Sequence, residues 1–292
     1  DWFDAARNEG AMNSERVTEN FTKYQENTKE SDEQLFIKAA EEVISLQINS
    51  GIDIPTDGEV RRENYVHYHC RYLSGFDFKN LERRVFRDGA YDSHLPAIRK
   101  KIEHTNVGYA ALDYVSSQKV SPVPIKFTLP GPLTIMDTTA DCYYDDRPKL
   151  NRDLADTINK EILRLVDAGC RYIQVDEPLF ARQVDDASSF GMEGIERCFH
   201  GVPRDVKKIM HMCCGYPDHL DDEDYKKADP GSYHQLASEV DALNIDEVSI
   251  EDAHCQNNLD LLEKFEKKSV IFGAIAIASS RVETEDEIIN RI

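Results

Sequence analysis

Six short apolar segments, each preceded by a polar or helical stretch, constrain the fold of this 292-residue chain more than any other feature. They begin near residues 52, 123, 172, 208, 247 and 269 and are rich in Val and Ile. Residues 31–50 place Leu35, Phe36, Ala39, Ala40, Val43, Ile44 and Ile48 at helical spacing, and Gly51 stops the pattern. A strand and turn over 52–59 follow, then a strand over 123–130. A helix over 150–168 ends at Gly169 and feeds a strand over 172–175. Helices near 192–198, 232–243 and 259–265 precede strands at 208–212, 247–250 and 269–276. Thr284 and Glu287 have the spacing of a capping box that opens a last helix. Such β/α alternation predicts a parallel sheet covered by helices. No glycine-rich fingerprint follows any strand, which disfavours a doubly wound dinucleotide fold. The expected class is therefore α/β, a (β/α)8 TIM-type barrel forming one catalytic domain over 1–292. Its first and last strands are expected outside the given chain, which starts at Asp1 without a methionine and stops at Ile292 within a helical pattern. Residues 60–120, rich in Tyr, Arg and His, are expected to form an excursion over the barrel mouth.

Charge narrows the partners. With 35 basic and 55 acidic side chains the net charge is -20, and a uniformly negative surface repels phosphate. Nucleic acid and anionic membrane are therefore not expected as partners, and no apolar run reaches the length of a membrane span. Seven cysteines in a chain this long do not make a small disulfide framework. Cys170 and Cys198 sit in patterns where buried free thiols are ordinary, so a reducing, cytoplasmic compartment is expected.

The polar residues gather just past strand ends, at Asp57 to Glu59, Gly131, Asp176 and Glu177, His211 and Cys213, and Glu251. In an α/β barrel that rim is where active sites are built. Residues i and i+2 of a strand share a face, so His211 and Cys213 can grip one ion together, and imidazole with thiolate points to zinc. Glu251, at the end of the next strand, supplies a third ligand. An isolated His-x-Cys is equally a buried thiol beside a core histidine; the neighbouring carboxylates favour a site. Three ligands leave an exchangeable position, the mark of a catalytic zinc. Cys255, one helical turn beyond Glu251, or a residue past Ile292 could be a fourth ligand; Cys214 points to the opposite face if the strand stays regular. Sulfur-rich ligation favours a thiol guest. Free thiols titrate near ~8.5, whereas a zinc-bound thiol is deprotonated.

Other candidates have plainer readings beside the functional ones. Asp176 and Glu177 could bind a substrate ammonium, act as acid and base, or hydrogen-bond amides at a helix start. Glu59 could do the same, or pair with Arg61 or Arg62. Gly131-Pro132 reads most simply as a turn. His67, His69 and Cys70 have a spacing that suggests a second metal, but a polar lid or interface face explains them as well. Arg281 could receive an anion at the rim or form a surface pair with Glu283.

The chain resembles the catalytic domain of the cobalamin-independent methionine synthase family. The resemblance runs from about Gly51 to the C-terminus and rests on Asp57-Gly58-Glu59-x-Arg61-Arg62-Glu63-Asn64, Gly131-Pro132-Leu133-Thr134, Ile173-Gln174-Val175-Asp176-Glu177-Pro178, His211-Met212-Cys213, Val248-Ser249-Ile250-Glu251 and Ser280-Arg281-Val282. It implies a (β/α)8 barrel with zinc on His211, Cys213 and Glu251, the family's second cysteine falling past Ile292. It implies homocysteine held by Glu59 and Asp176, with a serine that also lies outside the chain. Thr138 stands where methionine synthases carry a tryptophan that packs on folate, and Ala276, Ile277 and Ala278 stand where they carry Asp-x-His as proton donor. These departures put folate-dependent transfer in doubt. Cys213-Cys214-Gly215-Tyr216-Pro217 and Ile250-Glu251-Asp252-Ala253-His254 look more like the branch of epoxyalkane:coenzyme M transferase.

The function expected is zinc-dependent transfer of an alkyl group, methyl above all, from a donor to a small thiol such as homocysteine or coenzyme M. Asp176 and Glu59 act on the acceptor, with Glu177 and Arg281 as further binding residues. An epoxide-opening thiol transferase, a zinc hydrolase and a non-catalytic barrel binder are the alternatives.

Overall fold

The computed structural model describes residues 15–86, 91–215, 220–222, 225 and 227–292. Helices Glu15–Glu26 and Glu30–Asn49 come first. The second follows the apolar spacing, and Gly51 ends it at φ +90°, a left-handed conformation that costs glycine no Cβ clash. The strand expected over 52–59 shrinks to one parallel bridge, Thr56 to Lys126. Pro55 has no N–H for a ladder, although its carbonyl still accepts from Lys126 N at 2.9 Å.

Residues 60–120 include the short helix His67–Cys70 and a long antiparallel hairpin, β1 (Leu73–Phe86) and β2 (Tyr91–His104). His67, Tyr68, His69 and Cys70 are all buried, so they form core and not the polar lid their composition suggested. The helix Tyr109–Gln118 closes this segment.

Five parallel strands then build the main sheet: β3 (Lys126–Pro130), β5 (Tyr172–Asp176), β6 (Lys207–Met212), β7 (Glu247–Glu251) and β8 (Ser269–Gly273), hydrogen-bonded in that order. Between β3 and β5, the two-residue strand β4 (Ala140–Asp141) joins β2. Sequence order equals spatial order in the main sheet, so each strand lies beside the next one in the chain. Prolines at 122 and 124 delay β3 beyond its expected start. Gly273 ends β8 early; a Cβ there would come within 2.9 Å of the Ile250 carbonyl.

The sheet has two unlike faces. Phe127, Leu129, Ile173, Val175, Met210, Val248 and Ile250 are each at most 1% exposed and belong to the apolar core shared with the covering helices. The longest of these, Arg147–Asp167, begins three residues before the apolar pattern because Asp146 caps it, accepting from Lys149 N at 3.0 Å. It buries Leu150, Leu154, Ile158, Ile162 and Leu165, each contributing roughly 1.5–3 kcal/mol. The segment after β7 is a 3-10 helix, Leu259–Lys264, where an α-helix was expected. The capping box at Thr284 and Glu287 is present. On the other face of the sheet stand Lys126, Thr128, Gln174, Asp176, His211 and Ser249, aligned by register: Thr128 opposite Gln174, Asp176 opposite His211, His211 opposite Ser249. Among the described residues no helix is long and apolar enough to cross a membrane.

Burial holds the His67 imidazole down to about 4, while an unfolded histidine titrates near ~6.5. Between those values the unfolded chain binds the extra proton, so stability is full above the upper value and falls with pH by about 1.4 kcal/mol per unit for this residue. His67→Gln keeps a side-chain donor toward the Thr138 carbonyl and removes the titration. Urea unfolding at pH 7 and pH 4.5 should show a smaller difference for the variant than for the parent. Equal differences would mean that His67 is not buried as a neutral ring.

Candidate active site

The polar face ends in three linked clusters at the C-terminal edge of the sheet. The first is built on Glu59. Its backbone is left-handed, φ +56°, a conformation that costs a non-glycine residue on the order of 1 kcal/mol or more. Asp57 Oδ1 stabilises it by accepting from Glu59 N at 3.0 Å. Glu59 Oε1 then receives Arg62 Nη1 and Thr128 Oγ1, both at 2.8 Å. Arg62 also donates to the Thr128 carbonyl at 3.0 Å and lies over the Phe127 ring. Of the two partners foreseen for Glu59 it is Arg62 that pairs; Arg61 turns to Glu33 and Asp113.

The second cluster orients Asp176. Lys126 Nζ donates to Gln174 Oε1 at 2.7 Å, and Gln174 Nε2 donates to Asp176 Oδ1 at 2.7 Å. An ammonium can only donate, so it fixes the amide orientation and makes Asp176 the acceptor. Burial pushes the Asp176 carboxyl upward, opposed by His211 and by Gln174.

Glu177, one residue on, serves a different purpose. Its carboxylate receives Leu133 N at 2.9 Å, Thr134 N at 3.0 Å and Thr134 Oγ1 at 2.8 Å, which satisfies orphan amides at the start of helix Pro132–Asp137. Burial lifts it to about 8 against those three bonds. A Cβ on residue 131 would lie 2.3 Å from this carboxyl, so Gly131 is required by space and not by its φ of -78°.

The third cluster holds the sulfurs. His211 Nδ1 lies 3.1 Å from Ser249 Oγ. Strand β6 stops at Met212, so alternation no longer sends Cys214 to the opposite face. Instead the Cys214 thiol meets Cys213 and stands 2.8 Å from Glu251 Oε2. Gly215 N donates to Cys213 Sγ at 3.3 Å. The Cys213 thiol is pulled downward by the Cys214 hydrogen bond and by His211, although burial opposes this. His211 is raised, because Cys213 and Asp176 outweigh its burial. Cys214 is pushed upward by Cys213, burial and Glu251. Cys255 reaches the same cluster through Cys214.

The Cys214 thiol thus stands between Cys213 and Glu251. That donor chemistry, imidazole with thiolate and carboxylate, fits a borderline-soft cation. The donors run in a line; among the described residues no three His, Cys, Asp or Glu side chains converge on one ion.

Other candidates lie apart. Arg281 Nη1 donates to both carboxylate oxygens of Glu287, at 3.0 and 2.9 Å, on the surface, whereas Glu283 accepts from Ala276 N. His69 meets the Tyr109 hydroxyl and His67 the Thr138 carbonyl. Lys126 escaped the sequence reading, and Gln174, Ser249 and His254 entered it only as members of motifs, without a role at the site. For Gln174 and Lys126 the signal was there: each is polar at a strand position whose side chain shares the Asp176 face.

The family model for "Cobalamin-independent synthase, Catalytic domain" matches residues 11–292. The chain belongs to this family. A methionine synthase of Saccharolobus islandicus (strain Y.G.57.14 / Yellowstone #1) is 31% identical over 268 residues, which cover 90% of this chain and 74% of the relative. One from Sulfurisphaera tokodaii is 30% identical over 244 residues, covering 82% and 65%. The structure of a B12-independent methionine synthase from Shewanella sp. W3-18-1, in complex with selenomethionine, superposes with a TM-score of 0.78 at 29% identity, covering 88% of this chain and 74% of that one. The cobalamin-independent synthase family is one of methyltransferases acting on a thiol, and the chain is an enzyme of that kind. These relatives are methionine synthases, which lends the coenzyme M alternative no support.

Replacing Glu177 by Gln sets an amide N–H₂ against backbone N–H donors. The expected loss is about 1–3 kcal/mol of unfolding free energy, read by urea denaturation. Parental stability would show that this carboxylate is not what ties β5 to the start of helix Pro132–Asp137.

Proposed function

We propose that this chain carries out zinc-dependent methyl transfer to homocysteine, at the C-terminal edge of a (β/α)8 barrel. The supporting observation is the unbroken run His211, Cys213, Cys214, Glu251, which lies beside Asp176 because Asp176 and His211 are register partners. The barrel reading is supported by five parallel strands in sequence order whose polar residues gather at their C-terminal ends, where barrel active sites are built.

His211, Cys213 and Glu251 would hold the zinc. When bound, it supplies Lewis acidity that keeps an acceptor thiol deprotonated near neutral pH. The chain's own groups do the positioning. Asp176 receives the acceptor's ammonium through the oxygen that Gln174 does not take, and Glu59 adds a second carboxylate whose charge Arg62 balances. Glu177 and Gly131 set the turn that brings helix Pro132–Asp137 over the site. Asp176 is buried and His211 half-buried, which limits water at the reacting sulfur. Thr138 offers no ring for a donor to stack on, and its carbonyl is taken by His67, so the donor must be recognised by other groups.

The test is zinc content together with methionine formation from homocysteine, with methyltetrahydrofolate and other methyl donors each supplied in turn. One zinc per chain is expected, with a sulfur ligand gained at the zinc K-edge when homocysteine is added. Cys213→Ser should abolish metal and activity together. An active, metal-free Cys213→Ser protein would overturn the proposal, and turnover without any thiol would point to a hydrolase.

A further inference from the structure

The turn after β7 folds back on its own carboxylate. Glu251 Oε1 receives His254 N at 2.7 Å and lies 2.9 Å from His254 Nδ1. The other ring nitrogen, Nε2, lies 3.1 Å from Ala278 N, beyond the end of β8. A backbone amide can only donate, so Nε2 is the acceptor and carries no hydrogen. The hydrogen of the ring is then on Nδ1, where it donates to Glu251 Oε1. One contact therefore decides the tautomer, and the tautomer decides which oxygen of Glu251 is spent. Oε1 holds two donors, while Oε2 faces Cys214 at 2.8 Å. The arrangement is buried, with His254 and Glu251 side chains 9% and 6% exposed. Lys227 Nζ anchors the His254 carbonyl at 2.8 Å, so the turn is held from a third segment.

We infer that His254 is a positioning residue which locks Glu251 in one orientation, so that only Oε2 is presented to the sulfur cluster and to a metal bound there. This rests on the reading of Glu251 as a zinc ligand. The imidazole spans the exits of β7 and β8, so the carboxylate is braced by the neighbouring strand's loop and not by its own turn alone. Groups that orient a ligating carboxylate typically account for 10–100-fold in metal affinity. Asn at this position keeps a donor close to the Nδ1 position; Gln places its amide nearer Nε2, and Ala keeps neither.

Zinc affinity, measured by competition with a chromophoric chelator, separates these cases. His254→Ala and His254→Gln should weaken zinc by about tenfold or more, and His254→Asn by no more than about threefold. Circular dichroism checks that each variant is folded. Ring ¹⁵N NMR of the unsubstituted protein needs no variant and should show the Nδ1–H tautomer at His254; an Nε2–H tautomer overturns the inference outright. Parental zinc affinity in a folded His254→Ala protein overturns it too, provided Glu251→Ala weakens binding, and leaves the zinc reading standing. If Glu251→Ala and Cys213→Ser also bind zinc as the parent does, the zinc reading itself falls and takes the inference with it.

Discussion

The parallel register of β3, β5, β6, β7 and β8 is the constraint on which the rest depends. Asp176 meets His211, and His211 meets Ser249, because each strand is paired in step with the last. A slip of one residue in β6 would exchange His211 for Met210 or Met212 on the polar face and bury a histidine among Val175 and Ile250. Burial of Val175, Met210, Val248 and Ile250 on the opposite face opposes any such slip. The core thus fixes the chemistry indirectly, by making the alternative register expensive.

Charge on the polar face is balanced locally. Buried ions carry a desolvation cost of several kcal/mol each unless they are paired and hydrogen-bonded. Arg62 meets this with Glu59 and the Thr128 carbonyl, and the Lys126 ammonium is tied through Gln174 toward Asp176. Neither cation contacts the sulfur cluster through any of these bonds. There the donor atoms are thiol sulfur, imidazole nitrogen and carboxylate oxygen, a set that suits a borderline-soft cation better than the all-oxygen Glu59 end does.

Adjacent residues at Asp176 and Glu177 show how one strand end divides its work. Asp176 belongs to the polar face, oriented by Gln174 two residues before it. Glu177 points the other way and fastens the turn after β3, with Gly131 leaving the space its carboxyl fills. A pair that reads as one acidic motif in sequence is one member of the polar face and one structural clamp in space.

Much of this was legible in the sequence. Strand periodicity located all five strands of the main sheet, and polar residues past their ends marked the edge where Asp176, His211, Cys213 and Glu251 gather. Those are consequences of local rules: side chains alternate on strands, and apolar positions repeat on helices. For Glu59 the sequence left Arg61 and Arg62 open, and only the fold chose Arg62. Ser249 for His211 depends on the register of two separate strands, while Glu287 for Arg281 and His254 for Glu251 depend on loops whose paths no periodicity describes. The first strand candidate, over 52–59, failed at Pro55 because a ladder needs N–H groups, a matter of pairing and not of apolar pattern. The turn of Cys214 toward Glu251 followed from β6 ending at Met212, a boundary set by its neighbours. The sequence by itself determined which residue types stand at the sheet's edge, since that is a matter of spacing along one chain. Only tertiary structure decided which of them touch, since contact depends on where separate strands stop and how their loops return.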